Sequence, residues 1–279
     1  EEAINLLQGF NSAYPVWFDG TSSAYQLHAA LTGDPGLAQV ANLLSMDPDG
    51  PGGDLYRLPA NHIQEVTGLG ATKSRKVAKK FLANRRSYGQ VKITARGAGF
   101  DELSKQLPDQ FNDMKNEEQK ETLKNIQNKL ELIFDQNYPG AAMAEGIARA
   151  IASTMFDVQG KENFAVRVPL PDGDVSVYTG KLPDSSKRRV NWEIGKDKRI
   201  GVPVYQDKLA ITGFAAFLNH SLDAYVQRAL AKRLRDRGVP GFMHTHDAFA
   251  VHPVHGQEMR EIYHEVLLEI ANSPIYEEV

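Results

Sequence analysis

Asp19 and Asp247 stand near opposite ends of a 279-residue chain, and each closes an apolar run of strand character. Tyr14-Pro15-Val16-Trp17-Phe18 leads into the first, and Val239-Pro240-Gly241-Phe242-Met243 leads towards the second. A carboxylate at the mouth of a strand is a hard oxygen ligand on rigid backbone. Two such groups are what a pair of divalent cations about 3.5–4 Å apart needs for phosphoryl transfer. Between them, Lys76, Lys80, Asn84 and Tyr88 recur every four residues and so share one helix face. Two cations one turn apart can grip a triphosphate, and a phenol further along can read the sugar–base end. Arg75 stands beside Lys76, and the stretch closes on Tyr88-Gly89.

Each signal has a plainer reading. An aspartate that ends a strand and caps the next helix is common, and a basic helix face is ordinarily a solvated one. Four histidines, His244, His246, His252 and His255, crowd Asp247 and suggest zinc. Along a strand, however, His244 and His246 share one face and Asp247 the other, so three ligands do not converge. The preferred reading is a metal-binding Asp247 flanked by a His246 that contacts phosphate or primer. In Asn219-His220-Ser221-Leu222-Asp223, the spacing puts Asn219, His220 and Asp223 on one helix face. A lone histidine there is usually a satisfied, half-buried residue.

The elements that must position these groups follow from period and punctuation. Thr21, Ser22 and Ser23 offer N-cap hydroxyls before a helix over residues 24–31, which Gly33 and Pro35 stop. A second helix is expected from Thr72 to about residue 87, two surface helices over 101–136, and a better buried one over 141–156. Residues 166–170 and 175–178 flank Pro171-Asp172-Gly173-Asp174 and predict a hairpin. A long helix over 211–237, a strand over 242–251 and a helix over 256–272 complete the chain. Carboxylate, basic helix, carboxylate, in that order, point to a template-directed polymerase.

Composition is that of an ordinary globular protein, 42% hydrophobic and 24% charged. The net charge of −3 gives no global positive field, so nucleic-acid binding must come from local clusters such as Lys187-Arg188-Arg189, Lys196 to Arg199, and Arg228, Lys232 and Arg233. The absence of cysteine excludes disulfides and cysteine-based zinc sites. No apolar stretch approaches the roughly 18 residues that span a bilayer, and no signal-peptide pattern opens the chain. The first residue is Glu1, from which a start inside a longer protein is expected.

Taken together, these strings resemble the phage-type single-subunit DNA-directed RNA polymerases, the family that also includes the mitochondrial enzyme. Phe18 to Leu31 looks like motif A, Lys76 to Gly89 like motif B, and Thr245-His246-Asp247-Ala248-Phe249 like motif C. The Pro-Asp-Gly hairpin and the His220-Ser221-Leu222-Asp223 helix also fit. The resemblance implies an α+β fold: a right-hand palm, with a small antiparallel sheet, and a largely helical fingers insertion. The expected parts are a first palm segment (1–65), fingers (66–165), a hairpin and basic loop (166–210) and a second palm segment (211–279). On this resemblance the thumb and N-terminal domain are expected to lie outside this chain.

By position, Asp19 and Asp247, assisted by the Gly20 carbonyl, would hold two Mg²⁺ ions. Lys80 would contact the incoming triphosphate and serve as general acid to pyrophosphate. Lys76 stands where the family usually has arginine, with Arg75 beside it. Tyr88, with Gly89, and His220 would sense the ribose 2′-hydroxyl. Implied partners are a DNA template, nascent RNA, NTPs and a second polypeptide supplying N-terminal and thumb regions, in the cytoplasm of an infected bacterial host. The rivals are a family A DNA polymerase, disfavoured because motif A lacks the glutamate that blocks the 2′-hydroxyl, and a non-catalytic nucleic-acid-binding subunit.

Overall fold

The computed structural model describes residues 14–20, 22–44, 52–86, 98–107, 114–183, 190–193, 199–202, 205–209 and 211–278. The fold is α+β, mostly helical with small antiparallel sheets. The helices are α1 (Ser23–Thr32), α2 (Pro35–Val40), α3 (Arg57–Thr67), α4 (Ala71–Arg86), α5 (Ala98–Gln106), α6 (Asn116–Asn137), α7 (Pro139–Asn163), α8 (Phe214–Asp236), α9 (Gly256–Ala271) and α10 (Ile275–Glu278). The strands are β1 (Val16–Asp19), β2 (Val166–Pro169), β3 (Val175–Tyr178), β4 (Lys181–Pro183), β5 (Val190–Glu193), β6 (Arg199–Val202), β7 (Tyr205–Leu209), β8 (Met243–Thr245) and β9 (Ala248–Val251).

Two apolar cores result. In α4, Val77, Ala78, Phe81 and Leu82 recur at helical spacing and are buried, while Lys73, Arg75, Lys76, Lys79 and Lys80 face outward. That apolar stripe joins Ile63 of α3, Leu103 of α5, and Leu123, Leu130 and Phe134 of α6 in one cluster. The second cluster packs Leu218, Leu222 and Leu230 of α8 against Ile262 and Val266 of α9, the β2 valines and Phe249 of β9. Two helices serve both. Helix α1 gives Tyr25 and Ala29 to the first core and Leu27 to the second; α7 gives Ala141 to the first and Ala148 and Ala152 to the second.

One carboxylate ties three helix ends together. Gly33 ends α1 in the left-handed region (φ 65°), and Asp34 then caps α2 through Oδ1, which accepts from Leu37 N at 3.0 Å. Its Oδ2 accepts from Gly140 N, 2.8 Å away at the start of α7. The approach is so close that a Cβ on Gly140 would lie 2.5 Å from Asp34 Cβ.

The expected 166–178 hairpin is present, with Val166 opposite Tyr178 and Pro169 opposite Val175. Helices α1, α4, α7, α8 and α9 lie where period placed them, and α5 and α6 occupy the 101–136 stretch. Three local expectations need correction. The Ser22 hydroxyl does not cap α1: Ser22 is left-handed (φ 67°), and its Oγ meets the Tyr56 hydroxyl at 3.3 Å. Thr72 lies inside α4, where Ser74 Oγ donates to Leu69 O instead. Residues 242–251 are two strands, with Thr245 opposite Ala248.

Candidate active site

The two aspartates meet through the three-stranded sheet, ordered β1-β9-β8. Antiparallel pairing sets Asp19 opposite Ala248, so Asp247 lies one residue beyond the ladder. The Gly20 amide donates to the Asp247 carbonyl at 3.2 Å and secures the crossing. A Cβ on Gly20 would stand 3.4 Å from that carbonyl oxygen and 3.6 Å from Asp247 Oδ2, in ordinary van der Waals contact. The Gly20 carbonyl accepts from Ser22 N at 2.8 Å, which leaves it one lone pair.

Asp247 sits on a two-residue hairpin turn, His246-Asp247, and His246 carries φ 53°. A turn of this kind ordinarily uses glycine, asparagine or aspartate at positive φ. A histidine held there stores strain beside the carboxylate. Because the chain reverses at this turn, side-chain alternation does not run from His244 to Asp247. His244 instead stacks on Phe242, ring centroids 5.9 Å apart.

Asp19 and Asp247 line one cavity of ≈ 140 Å³ together with Gln26, Arg260 and Tyr263. Neither carboxylate has a hydrogen-bond or ion-pair partner among the described residues. No three His, Cys, Asp or Glu side chains form a metal-holding group among those residues. A divalent ion would therefore meet two unpaired carboxylates and nearby backbone carbonyls. This hard-oxygen set fits Mg²⁺, which keeps several of its waters. Behind the pair, Tyr263 OH donates to Gln26 Oε1 at 2.6 Å, and Gln26 Nε2 donates to Ala41 O at 2.9 Å.

A larger cleft of ≈ 640 Å³ opens on the other side of Asp247, between the start of α1, the α8 residues Asn219, His220 and Asp223, and His246. The structure thus brings His220, His246 and Asp247 together. Asp223 belongs with them: burial and then the neighbouring Asp247 push its carboxyl above the usual range, against a 2.8 Å bond from Gln227 Nε2 and the His220 and His246 rings. The sequence placed Asp223 on that helix face but gave it no role. Asn219 is turned inward and bonded to His28 of α1.

The α4 cations line neither cavity. Arg75 Nε lies 2.7 Å from Asp54 Oδ2, and Lys76 Nζ lies 2.9 Å from Glu102 Oε1. Burial raises the Asp54 carboxyl, but Arg75 and the Tyr56 amide hold it below its ordinary value; Lys76 and then Gln106 do the same for Glu102. Lys80 is exposed and has no ion pair among the described residues. Tyr88 and Gly89 lie outside the described residues, as do Lys187-Arg188-Arg189 and residues 196–198. Of the expected α8 cluster, Arg228 is paired with Asp172 and Arg233 with Glu269.

Compared with protein-family models, the chain matches the one described as DNA-dependent RNA polymerase over residues 2–279. No curated protein matches it.

Proposed function

The chain belongs to the phage-type DNA-dependent RNA polymerase family and is a nucleotidyltransferase of that kind, and on this premise we propose that it is the catalytic subunit, with Asp19 and Asp247 as its metal-binding pair. The observation that carries this reading is the meeting, in one cavity, of two carboxylates remote in sequence, Asp19 on β1 and Asp247 on the β8–β9 turn, neither with a side-chain partner among the described residues. In this reading the sheet and its covering helices α8 and α9 belong to the palm, and residues 66–165, with α4 to α7, form the fingers.

Asp19 and Asp247, with the free lone pair of the Gly20 carbonyl, would hold two Mg²⁺ ions. Bound there, the metal supplies Lewis acidity that makes the RNA 3′-hydroxyl a nucleophile and offsets charge on departing pyrophosphate. The 3′-oxygen forms a bond to the α-phosphorus as the bond to the β-phosphate bridging oxygen breaks. Lys80, with no carboxylate to satisfy among the described residues, would contact the triphosphate and hold a proton for pyrophosphate. Arg75 and Lys76 reach the same phosphates only by leaving Asp54 and Glu102. His220, in the cleft beside Asp247, would read the sugar, a role shared by position in the sequence with Tyr88 and Gly89, and His246 would contact phosphate or primer. A second polypeptide supplying N-terminal and thumb regions would hold the template–transcript hybrid; co-purification of such a chain tests that part.

The function itself is tested by extending an RNA primer on single-stranded DNA with Mg²⁺, NTPs and dNTPs being supplied in parallel. Extension with NTPs, lost in Asp19→Ala, is the expected result. Extension with dNTPs at an equal rate would return the DNA polymerase alternative.

A further inference from the structure

His28 is 3% exposed, and its Nε2 lies 3.1 Å from Oδ1 of Asn219, itself 6% exposed and 191 residues away. A carbonyl oxygen only accepts, so Nε2 carries the proton and donates. Both side chains are buried, and the Tyr25 ring meets His28 edge-on, ring centroids 5.8 Å apart. Apolar contact is non-directional and holds two helices together without fixing how far one turns against the other. A buried hydrogen bond does fix it, because a slip of either helix leaves a donor and an acceptor dry and unpaired.

The register of these two helices bears on the site. Helix α1 hangs from Asp19 through three residues, and Asn219 immediately precedes His220. Asn219 and His220 both border the cleft that reaches Asp247. One bond therefore couples the helix attached to the first carboxylate to the turn of α8 that presents the imidazole. Two apolar residues of similar shape would serve packing about as well, so the polar pair selects one register rather than adding bulk stability.

We propose that His28 and Asn219 are positioning residues that set nucleotide-sugar specificity: their hydrogen bond holds His220 where it meets the ribose 2′-hydroxyl of the incoming NTP. The inference rests on reading His220 as the sugar sensor. It assigns His28 and Asn219 no contact with the reacting atoms.

The test is single-nucleotide incorporation by the chain in the assembly that supports extension, measured with NTP and dNTP. Wild type, His28→Leu, His28→Gln, the double variant His28→Leu/Asn219→Leu, and His220→Ala are compared. The double variant replaces both partners with apolar groups and keeps a cooperative melt. Its ratio of kcat/KM for NTP over dNTP falls roughly tenfold, as expected of a displaced contact group. The fall comes from a higher KM for NTP, with KM for dNTP held. His28→Gln, which keeps an N–H donor at similar reach, recovers most of the ratio. A wild-type ratio in the double variant, with a reduced one in His220→Ala, overturns the proposal alone. A wild-type ratio in His220→Ala removes the sugar-sensor reading, and the proposal falls with it. Should the double variant not fold, His28→Leu against His28→Gln carries the same comparison, and equal ratios there overturn the proposal.

Discussion

Lys76 and Lys80 occupy the same exposed face of α4, yet among the described residues only Lys76 is engaged by a carboxylate, that of the buried Glu102. A cation without an ion-pair partner has nothing to give up when it meets phosphate. Lys80→Ala is therefore expected to lower kcat/KM for NTP by roughly 10²-fold, as the loss of a charge-stabilising donor does. Lys76→Ala has a smaller kinetic effect and a lower melting temperature, because the buried Glu102 loses its cation and keeps the weaker bond from Gln106. Steady-state incorporation and thermal melts of the two variants check both statements. His246 gives a second prediction at this scale. Its φ of 53° suits glycine better than histidine. His246→Gly should raise or hold the melting temperature while lowering extension, and His246→Val should cost about 1–2 kcal/mol. Denaturant titration separates the two.

Among the elements, the junction of α1, α2 and α7 is the least tolerant of change. A methyl group on Gly140 would meet Asp34 Cβ at 2.5 Å and Thr32 Oγ1 at 2.7 Å. Gly140→Ala is expected to destabilise by about 1–3 kcal/mol through overpacking, and Asp34→Ala by about 1 kcal/mol through the lost cap. Chemical denaturation measures each. The main elements were legible where a period runs unbroken, as in α8 and the β2–β3 hairpin. Helix α3 was not, although Arg57–Thr67 is amphipathic and buries Pro59, Ala60 and Ile63: a proline in the first turn reads as a break. The β8–β9 turn was missed because His246-Asp247 lacks glycine or asparagine, and alternation was carried straight through it. The two aspartates were legible as a pair. The residues around them were not, because Asp223 and the His28–Asn219 bond come near the site only when α1 and α8 pack together.

Across the whole molecule, long-range ion pairs join elements that the two cores bring near. Burial pushes the Glu269 carboxyl up, but bonds from Tyr225 and Arg233 hold it below its ordinary value of 4.5. Glu102 and Asp54 are depressed as well. A depressed carboxyl contributes stability above its unfolded pKa and loses it as pH falls through the folded one. The melting temperature should therefore drop as pH falls below 4.5, and Glu269→Gln, less stable at neutral pH, should lose less on acidification. Thermal melts across pH 3–7 test this, a range spanning roughly the carboxylate pKa values. Among the described residues no helix is long and apolar enough to cross a membrane. The central claim is that the meeting of β1 with the β8–β9 hairpin builds the catalytic metal site. Single-turnover extension of an RNA primer on a DNA template, with Mg²⁺ and NTPs, tests it most directly when wild type is set against Asp247→Ala. The rate is expected to fall by at least roughly 10²–10³-fold, with binding of the primer–template retained. Extension by Asp247→Ala at the wild-type rate would contradict it.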